Sequence, residues 1–286
     1  MSLKTLVIGA RGTMGVDVCR LFTERGDEVL GPSRAELDVR DPAPVRQAIE
    51  QWRPDRVIHL AALTDVDGCQ RDPEAAFLNN TLGAQNVALA CQRYDVELIY
   101  VSTLAVFNGQ KPEAYVEFDA PDPANVYGRS KYEGEQMVRA LAPRHYVVRA
   151  GWVFGGGQHD KKFVGKILAQ ARERSELRAV DDKFGSPTYT VDFARGLARL
   201  AESGLYGTYH LVNTGQPASR YDVARQIVQV AGLKHCQVLP VSSDTFPLAA
   251  PRPRMEAARN YLLELRGLTW MRPWTEALEE YARTLR

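Results

Sequence analysis

Three glycines at G-x-x-G-x-x-G spacing, Gly9, Gly12 and Gly15, directly follow the apolar run Leu6-Val7-Ile8. A glycine-rich turn between a buried strand and a helix lets the backbone approach a pyrophosphate, whose charge then rests on the helix N-terminus. Alone, the pattern also fits an ordinary tight turn, so its surroundings decide. Lys4-Thr5-Leu6-Val7-Ile8 reads as a short buried strand, and Val16, Val18, Leu21 and Phe22 recur with helical period over residues 16–25, ahead of Gly26. Glu28-Val29-Leu30 predicts a second strand, residues 45–52 a second helix and residues 56–60 a third strand. Alternating strands and helices are the signature of a parallel sheet covered on both faces.

Residues 75–93 read as a helix, and Glu97-Leu98-Ile99-Tyr100-Val101 as a core strand ending at Ser102-Thr103. Residues at that end of a strand face the ligand crevice of an open α/β sheet. A Pro- and Gly-bearing loop leads to a helix over residues 126–141, with Tyr127 and Lys131 one turn apart on one face, and Tyr146-Val147-Val148-Arg149 follows as a strand. From Gly151 the pattern turns irregular, with Gly155-Gly156-Gly157, a basic helix over residues 163–173 and Pro-rich stretches near residues 246–253. Residues 191–202 and 207–212 again read as helix and strand of the sheet. The expected fold is α/β, a doubly wound parallel (Rossmann) sheet with a second, smaller substrate lobe. Residues 1–150 form the dinucleotide-binding domain, with 189–215 returning to it, and residues 151–188 and 216–286 form the lobe. A chain of 286 residues exceeds a typical single domain, which agrees with this division.

The 36 basic and 35 acidic residues leave a formal charge of +1, so no global field draws the protein to nucleic acid or to an anionic membrane. No apolar stretch approaches the ~20 residues needed to span a bilayer, and no signal-peptide core of ~7–15 apolar residues is evident, so a cytoplasmic location is expected. Cys19, Cys69, Cys91 and Cys236 are far apart without C-x-x-C or matching His spacing, which argues against disulfides and structural zinc. Asp65 and Asp67 without further ligands make no metal site. His59 in a core strand reads as packed rather than catalytic. His159-Asp160-Lys161-Lys162 reads as a solvated mobile loop.

A hydroxyl on Thr103 and a phenol on Tyr127 can converge on one carbonyl oxygen if the strand end and the helix face each other. The Lys131 ammonium would then favour the phenolate of Tyr127 and bring its pKa toward working pH. In that arrangement Tyr127 is the acid for ketone reduction, Thr103 holds the oxygen as charge develops, and Lys131 also hydrogen-bonds the nicotinamide ribose. In isolation, Y-x-x-x-K better fits an ordinary amphipathic helix with a solvated lysine.

The glycine turn Gly9-Ala10-Arg11-Gly12-Thr13-Met14-Gly15, the stretch from His59 to Asp67, Ser102-Thr103 and Asn125-Val126-Tyr127-Gly128-Arg129-Ser130-Lys131 occur in the order of the extended short-chain dehydrogenase/reductases. More narrowly, Arg149-Ala150-Gly151-Trp152-Val153-Phe154, the segment from Asp182 to Thr188, and Arg252-Pro253 resemble the dTDP-4-dehydrorhamnose reductase family over nearly the whole chain. The resemblance implies a catalytic set of Thr103, Tyr127 and Lys131. It implies cofactor residues Gly9, Gly12, Thr13, Met14 and Gly15 at the turn, Ser33, Arg34, Asp38 and Val39 beyond the second strand, and Ala61, Ala62, Thr64 and Asn80 with Tyr127 and Lys131. Asn80 would organise a proton relay. Thr103, Tyr127, Trp152 and Arg252 would line the pocket of a nucleotide-sugar substrate. Gly31-Pro32-Ser33-Arg34 offers a hydroxyl and a guanidinium to a 2′-phosphate in place of an acidic residue, so the expected cofactor is NADP, with NAD left open by Glu36 and Asp38.

Two departures bear on the substrate. Leu104-Ala105 stands where the family usually has Asp-Tyr, and Arg254-Met255-Glu256-Ala257-Ala258 does not follow the family's pattern after Arg-Pro. The expected activity is NAD(P)H-dependent reduction of the 4-keto group of a nucleotide-linked deoxysugar. Its alternatives are a non-catalytic regulatory subunit resembling the methionine adenosyltransferase β subunit, and a sugar-nucleotide epimerase or dehydratase. A homodimer is left open.

Overall fold

The computed structural model describes residues 2–157, 160 and 162–285. The chain opens with β1 (Lys4–Ile8), α1 (Thr13–Glu24), β2 (Glu28–Leu30), α2 (Pro42–Trp52) and β3 (Arg56–His59). Two short helices, α3 (Val66–Arg71) and α4 (Pro73–Phe77), lead through a π-helical turn over Leu78–Leu82 into α5 (Gly83–Tyr94). Then come β4 (Glu97–Thr103), α6 (Val126–Leu141) and β5 (His145–Ala150). The lobe begins with β6 (Trp152–Phe154), α7 (Phe163–Glu173), β7 (Glu176–Val180), β8 (Phe184–Gly185) and β9 (Pro187–Tyr189). After α8 (Thr190–Ser203) and β10 (Gly207–His210) it continues with β11 (Ala218–Ser219), α9 (Arg220–Val230), β12 (Gln237–Val241), β13 (Met255–Glu256), α10 (Tyr261–Leu265) and α11 (Trp274–Thr284).

Six strands form one sheet in the order β10-β5-β4-β3-β1-β2, and every neighbouring pair is parallel. The strand order reverses at β1, so the crevice for a ligand lies between the carboxyl ends of β1 and β3. Alternate residues supply two cores. Leu6, Ile8, Leu98, Tyr100 and Val147 pack with Val45, Ile49, Val87 and Val138 of α2, α5 and α6. Val7, Ile99, Val101, Tyr146 and Val148 pack with Val18 and Phe22 of α1 and Phe193 and Leu197 of α8. A third core, including Phe154, Ile167, Leu177, Tyr189, Ile227 and Leu278, lies in the lobe.

Two elements differ from the sequence expectation. The first helix begins at Thr13 rather than 16, because the glycine turn itself forms its first turn. The helix expected over residues 75–93 is interrupted by the π-helical turn, which carries Asn80 into the interior. Among the described residues, no helix is long and apolar enough to cross a membrane.

Helix α6 is clamped to β5 by a buried ion pair. Arg149 Nε donates to Glu135 Oε1 at 2.8 Å and Nη2 to Oε2 at 2.7 Å, and Arg139 adds a third bond to Oε2 at 2.9 Å. Removing one partner strands the other charge in the interior, whereas replacing both with apolar side chains removes the desolvation cost as well. Arg149→Met should therefore destabilise the fold by about 3 kcal/mol in urea unfolding. Glu135→Leu combined with Arg149→Met should recover most of that loss. An Arg149→Met midpoint equal to wild type would show that the clamp contributes nothing.

Candidate active site

At the reversal of strand order, two glycines permit an approach that no side chain could share. Gly9 has φ +93°, and a Cβ there would stand 2.7 Å from the Ala61 nitrogen just beyond β3. A Cβ on Gly15 would stand 2.3 Å from the Gly9 carbonyl oxygen. The N-terminus of α1 thus sits against the end of β1, with no side-chain cap and no acidic residue in its first turn. Unsatisfied N–H groups with the positive end of a helix dipole favour an anion there.

A cavity of about 1060 Å³ runs from this turn into the lobe. Of the residues expected at the site, Gly9, Gly12, Thr13, Met14, Gly15, Ser33, Arg34, Asp38, Val39, Ala61, Ala62, Thr64, Thr103, Tyr127, Lys131, Trp152 and Arg252 all line it. Asn80 does not. It is 1 % exposed, and its amide is engaged by the Leu63 backbone (2.8 Å to N, 3.1 Å to O) and by Ser130 Oγ at 2.9 Å. Its geometry is that of a brace between the loop after β3 and α6, and its neighbour Asn79 faces the cavity instead. The periodicity of a regular helix could not tell Asn79 from Asn80, because the π-helical turn resets the phase.

Helix α6 starts at the edge of the cavity because Asn125 caps it, accepting from Gly128 N at 2.9 Å. Tyr127 therefore lies in the first turn, facing Thr103 at the end of β4. The Thr103 hydroxyl oxygen accepts from Ala105 N at 3.2 Å, leaving its hydrogen free to donate. Lys131 is buried, donates to the Val101 carbonyl at 2.9 Å and lies 4.1 Å from the centre of the Tyr100 ring.

Burial shifts both groups. It pushes the Tyr127 phenol up to about 12, with the Thr103 side chain pulling the other way. It pushes the Lys131 ammonium down to about 7, opposed by Glu135 one turn further along α6. The expectation that Lys131 draws the phenol's pKa toward neutrality is not met in this structure, because the ammonium turns to Val101 and Tyr100. Tyr127 is a protonated phenol across neutral pH, the form an acid requires.

On the cofactor side, the residues fit a phosphorylated dinucleotide. The uncapped turn faces one end of the cavity, and Ser102, whose buried hydroxyl has no partner among the described residues, lines it further in. Beyond β2, Arg34 is largely exposed and held only loosely, 3.6 Å from Asp38 and 3.4 Å from Asn79. Arg11 lines the same region and was not singled out from the sequence. Ser33 is already engaged, its N–H donating to Glu36 at 2.7 Å. Asp38 pairs with Arg40 at 2.6 Å, which holds its carboxyl down to about 2.

On the lobe side, Arg252 is largely committed, donating to Asp67 at 2.9 Å and to the Ala250 carbonyl at 2.8 Å. Asp67 is thereby a link between the first turn of α3 and the lobe. Arg220, absent from the sequence expectations, faces the cavity with its guanidinium 3.7 Å from the Trp152 ring centre and 4.7 Å from that of Phe163. No ion pair engages Arg220 among the described residues, and burial lowers its pKa to about 10. Glu256 also faces the cavity and accepts from Trp152 Nε1 at 3.2 Å, its carboxyl raised by burial. His159 and Lys161 lie outside the described residues. Their neighbours lie in irregular backbone as the loop reading expects, with Lys162 exposed at the cavity, but Asp160 is engaged, accepting from Gly165 N and from the Tyr281 hydroxyl. His59 is buried beside the Tyr100 ring, its two ring nitrogens without hydrogen-bond partners among the described residues, and burial lowers its pKa to about 3.

Residues 3–286 match the protein family described as the RmlD substrate binding domain. The chain belongs to the dTDP-4-dehydrorhamnose reductase family. It is 38 % identical to the dTDP-4-dehydrorhamnose reductase of Mycobacterium tuberculosis over 282 residues, covering 97 % of this chain and 91 % of that protein. It is 36 % identical over 278 residues to the spore coat polysaccharide biosynthesis protein SpsK of Bacillus subtilis, covering 97 % and 96 %. The crystal structure of the Bacillus anthracis dTDP-4-dehydrorhamnose reductase in complex with NADP superposes with a TM-score of 0.94 at 36 % identity, covering 98 % of this chain and 99 % of that one. The doubly wound fold is thus that of the reductase family.

Lys131 has a consequence for stability. Its pKa is lowered in the folded state from 10.5 to about 7. The cost of burying the charge is therefore complete below about pH 7 and disappears by about pH 10.5, where the lysine is neutral folded or unfolded. Lys131→Met should be more stable than wild type at pH 6, by about 1 kcal/mol or more after loss of the Val101 hydrogen bond, while losing turnover. The gain should shrink toward pH 10. Urea midpoints at both pH values check this, and a variant less stable than wild type at pH 6 would refute it.

Proposed function

We propose that the protein uses NADPH to reduce the 4-keto group of a dTDP-linked 6-deoxysugar, with dTDP-4-dehydrorhamnose as its substrate. The observation that carries this reading is the convergence of Thr103, Tyr127 and Lys131 on a cavity whose other end is the uncapped glycine turn. NADPH, when bound, supplies the hydride for the carbonyl carbon. The backbone at Gly12 to Gly15 would hold its pyrophosphate, and Arg34 with Arg11 would meet its 2′-phosphate. Tyr127 passes the phenolic proton to the carbonyl oxygen, and Thr103 donates a hydrogen bond to that oxygen as it gains charge. Lys131, positively charged below about pH 7, would turn its ammonium from the Val101 carbonyl toward Tyr127 to stabilise the phenolate left there. In the lobe, Arg220 supplies the less committed guanidinium for a diphosphate, assisted by Arg252, and the Trp152 ring covers an apolar edge of the sugar.

Loss of nicotinamide absorbance on mixing protein, NADPH and dTDP-4-dehydrorhamnose tests the activity. Tyr127→Phe should lower turnover by ~10²-fold or more with NADP⁺ affinity unchanged, the scale of lost acid catalysis. A wild-type protein that binds dTDP but consumes no NADPH would overturn the reading in favour of a non-catalytic role.

Cofactor choice is tested separately. Arg34→Ala should lower kcat/KM for NADPH by about tenfold and leave that for NADH within a factor of about two, since a charged hydrogen bond contributes ~1.5–3 kcal/mol and only NADPH carries the 2′-phosphate. Equal losses with both cofactors would remove Arg34 from phosphate recognition.

A further inference from the structure

The two places where this sequence leaves its family's pattern meet at the same cavity. Leu104 is buried in the core with Val106 and Phe107, but Ala105 lines the cavity, so the segment that usually carries Asp-Tyr presents neither carboxylate nor phenol to it. Across the cavity, the second departure brings in a carboxylate at Glu256.

The surroundings of Glu256 are built rather than incidental. Its strand β13 pairs in parallel with β8, setting Glu256 beside Gly185. A Cβ on Gly185 would stand 2.3 Å from the Trp152 ring, so glycine there lets the indole lie directly against the backbone. Arg220 covers the ring at 3.7 Å from its centre. The indole is held in one place, and its N–H meets Glu256 Oε2 at 3.2 Å. The other carboxylate oxygen, Oε1, has no partner among the described residues. Arg252, whose charge reaches Glu256, is paired with Asp67 instead.

Glu256 is only partly covered and lines the cavity, so Oε1 is open to a ligand that brings a hydrogen-bond donor. The donor is not a phosphate, which carries no proton to give and would be repelled. Nor is it an ammonium, because Arg220, Arg252 and Lys183 already surround Glu256 with positive charge. A neutral hydroxyl remains. Resting on the nucleotide-sugar reading, we propose that Glu256 is a specificity-determining residue whose Oε1 accepts a hydrogen bond from a hydroxyl of the sugar ring, supplying from β13 the acceptor that the segment after β4 lacks.

Calorimetry on the full chain with NADP⁺ present, comparing dTDP-rhamnose with dTDP, tests this. Wild type should bind dTDP-rhamnose more tightly than dTDP. Glu256→Ala should lose about tenfold of that advantage, the scale of a hydrogen bond to a charged group, while binding dTDP as well as or better than wild type. Glu256→Gln keeps an acceptor for Trp152 and turns an amide toward the sugar, so it should fold normally and lose advantage in the same direction. In both variants NADP⁺ affinity should be unchanged, whereas a purely structural role would lower dTDP and NADP⁺ binding together. If wild type prefers dTDP-rhamnose and both variants keep that preference, or if affinities for dTDP and NADP⁺ fall together, the proposal is wrong. If wild type binds neither dTDP nor dTDP-rhamnose, the nucleotide-sugar reading itself falls, and the proposal with it.

Discussion

The close approach of the ends of β1 and β3 governs the site. With Gly9 at φ +93° and within 2.7 Å of the Ala61 nitrogen once a Cβ is imagined, the loop after β3 can lie over the turn after β1. That same contact brings α1 in with its first turn uncapped and fixes where an anion is welcome. The loop then runs through Thr64 along the cavity into α3, where the bond of Asp67 to Arg252 ties the sheet domain to the lobe. A side chain at position 9 would separate these strands and displace each later contact in turn.

The reactive end depends on a second constraint, the burial of charge along α6. Lys131 and Glu135 lie one turn apart, and Glu135 is held by Arg149 of β5 and by Arg139. This carboxylate does two jobs: it anchors the helix to the sheet and it favours the charged form of Lys131 against its burial. The balance leaves the ammonium near neutral pKa and the phenol protonated. The anchoring of α6 and the charge state of Lys131 are thus linked through one buried anion.

On the lobe side, function is divided differently from what residue types alone indicate. Two arginines face the cavity, but Arg252 is occupied by Asp67 and a carbonyl, while Arg220 lies on Trp152 with no ion pair among the described residues. Stacking on an indole and a phenyl ring holds a guanidinium in place without neutralising it. Such a cation is available to a ligand's charge.

The order of strands and helices, the glycine turn and the shared helix face of Tyr127 and Lys131 were legible in the sequence because each depends on local spacing, a two-residue period for strands and 3.6 for helices, whereas Thr103 joined them only through the resemblance. What stayed hidden depends on contacts between distant segments. Asn80 points inward because a π-helical turn shifts the helical phase there, a feature without a spacing signal. Arg11, Arg220 and Glu256 came to line the cavity only when the glycine turn, α9 and β13 were brought together, since a charged residue in a turn or at an element's end looks solvated until another element covers it. The pKa values of Tyr127 and Lys131 were likewise decided by tertiary structure. The sequence sets which groups can titrate, but burial sets how far each one moves.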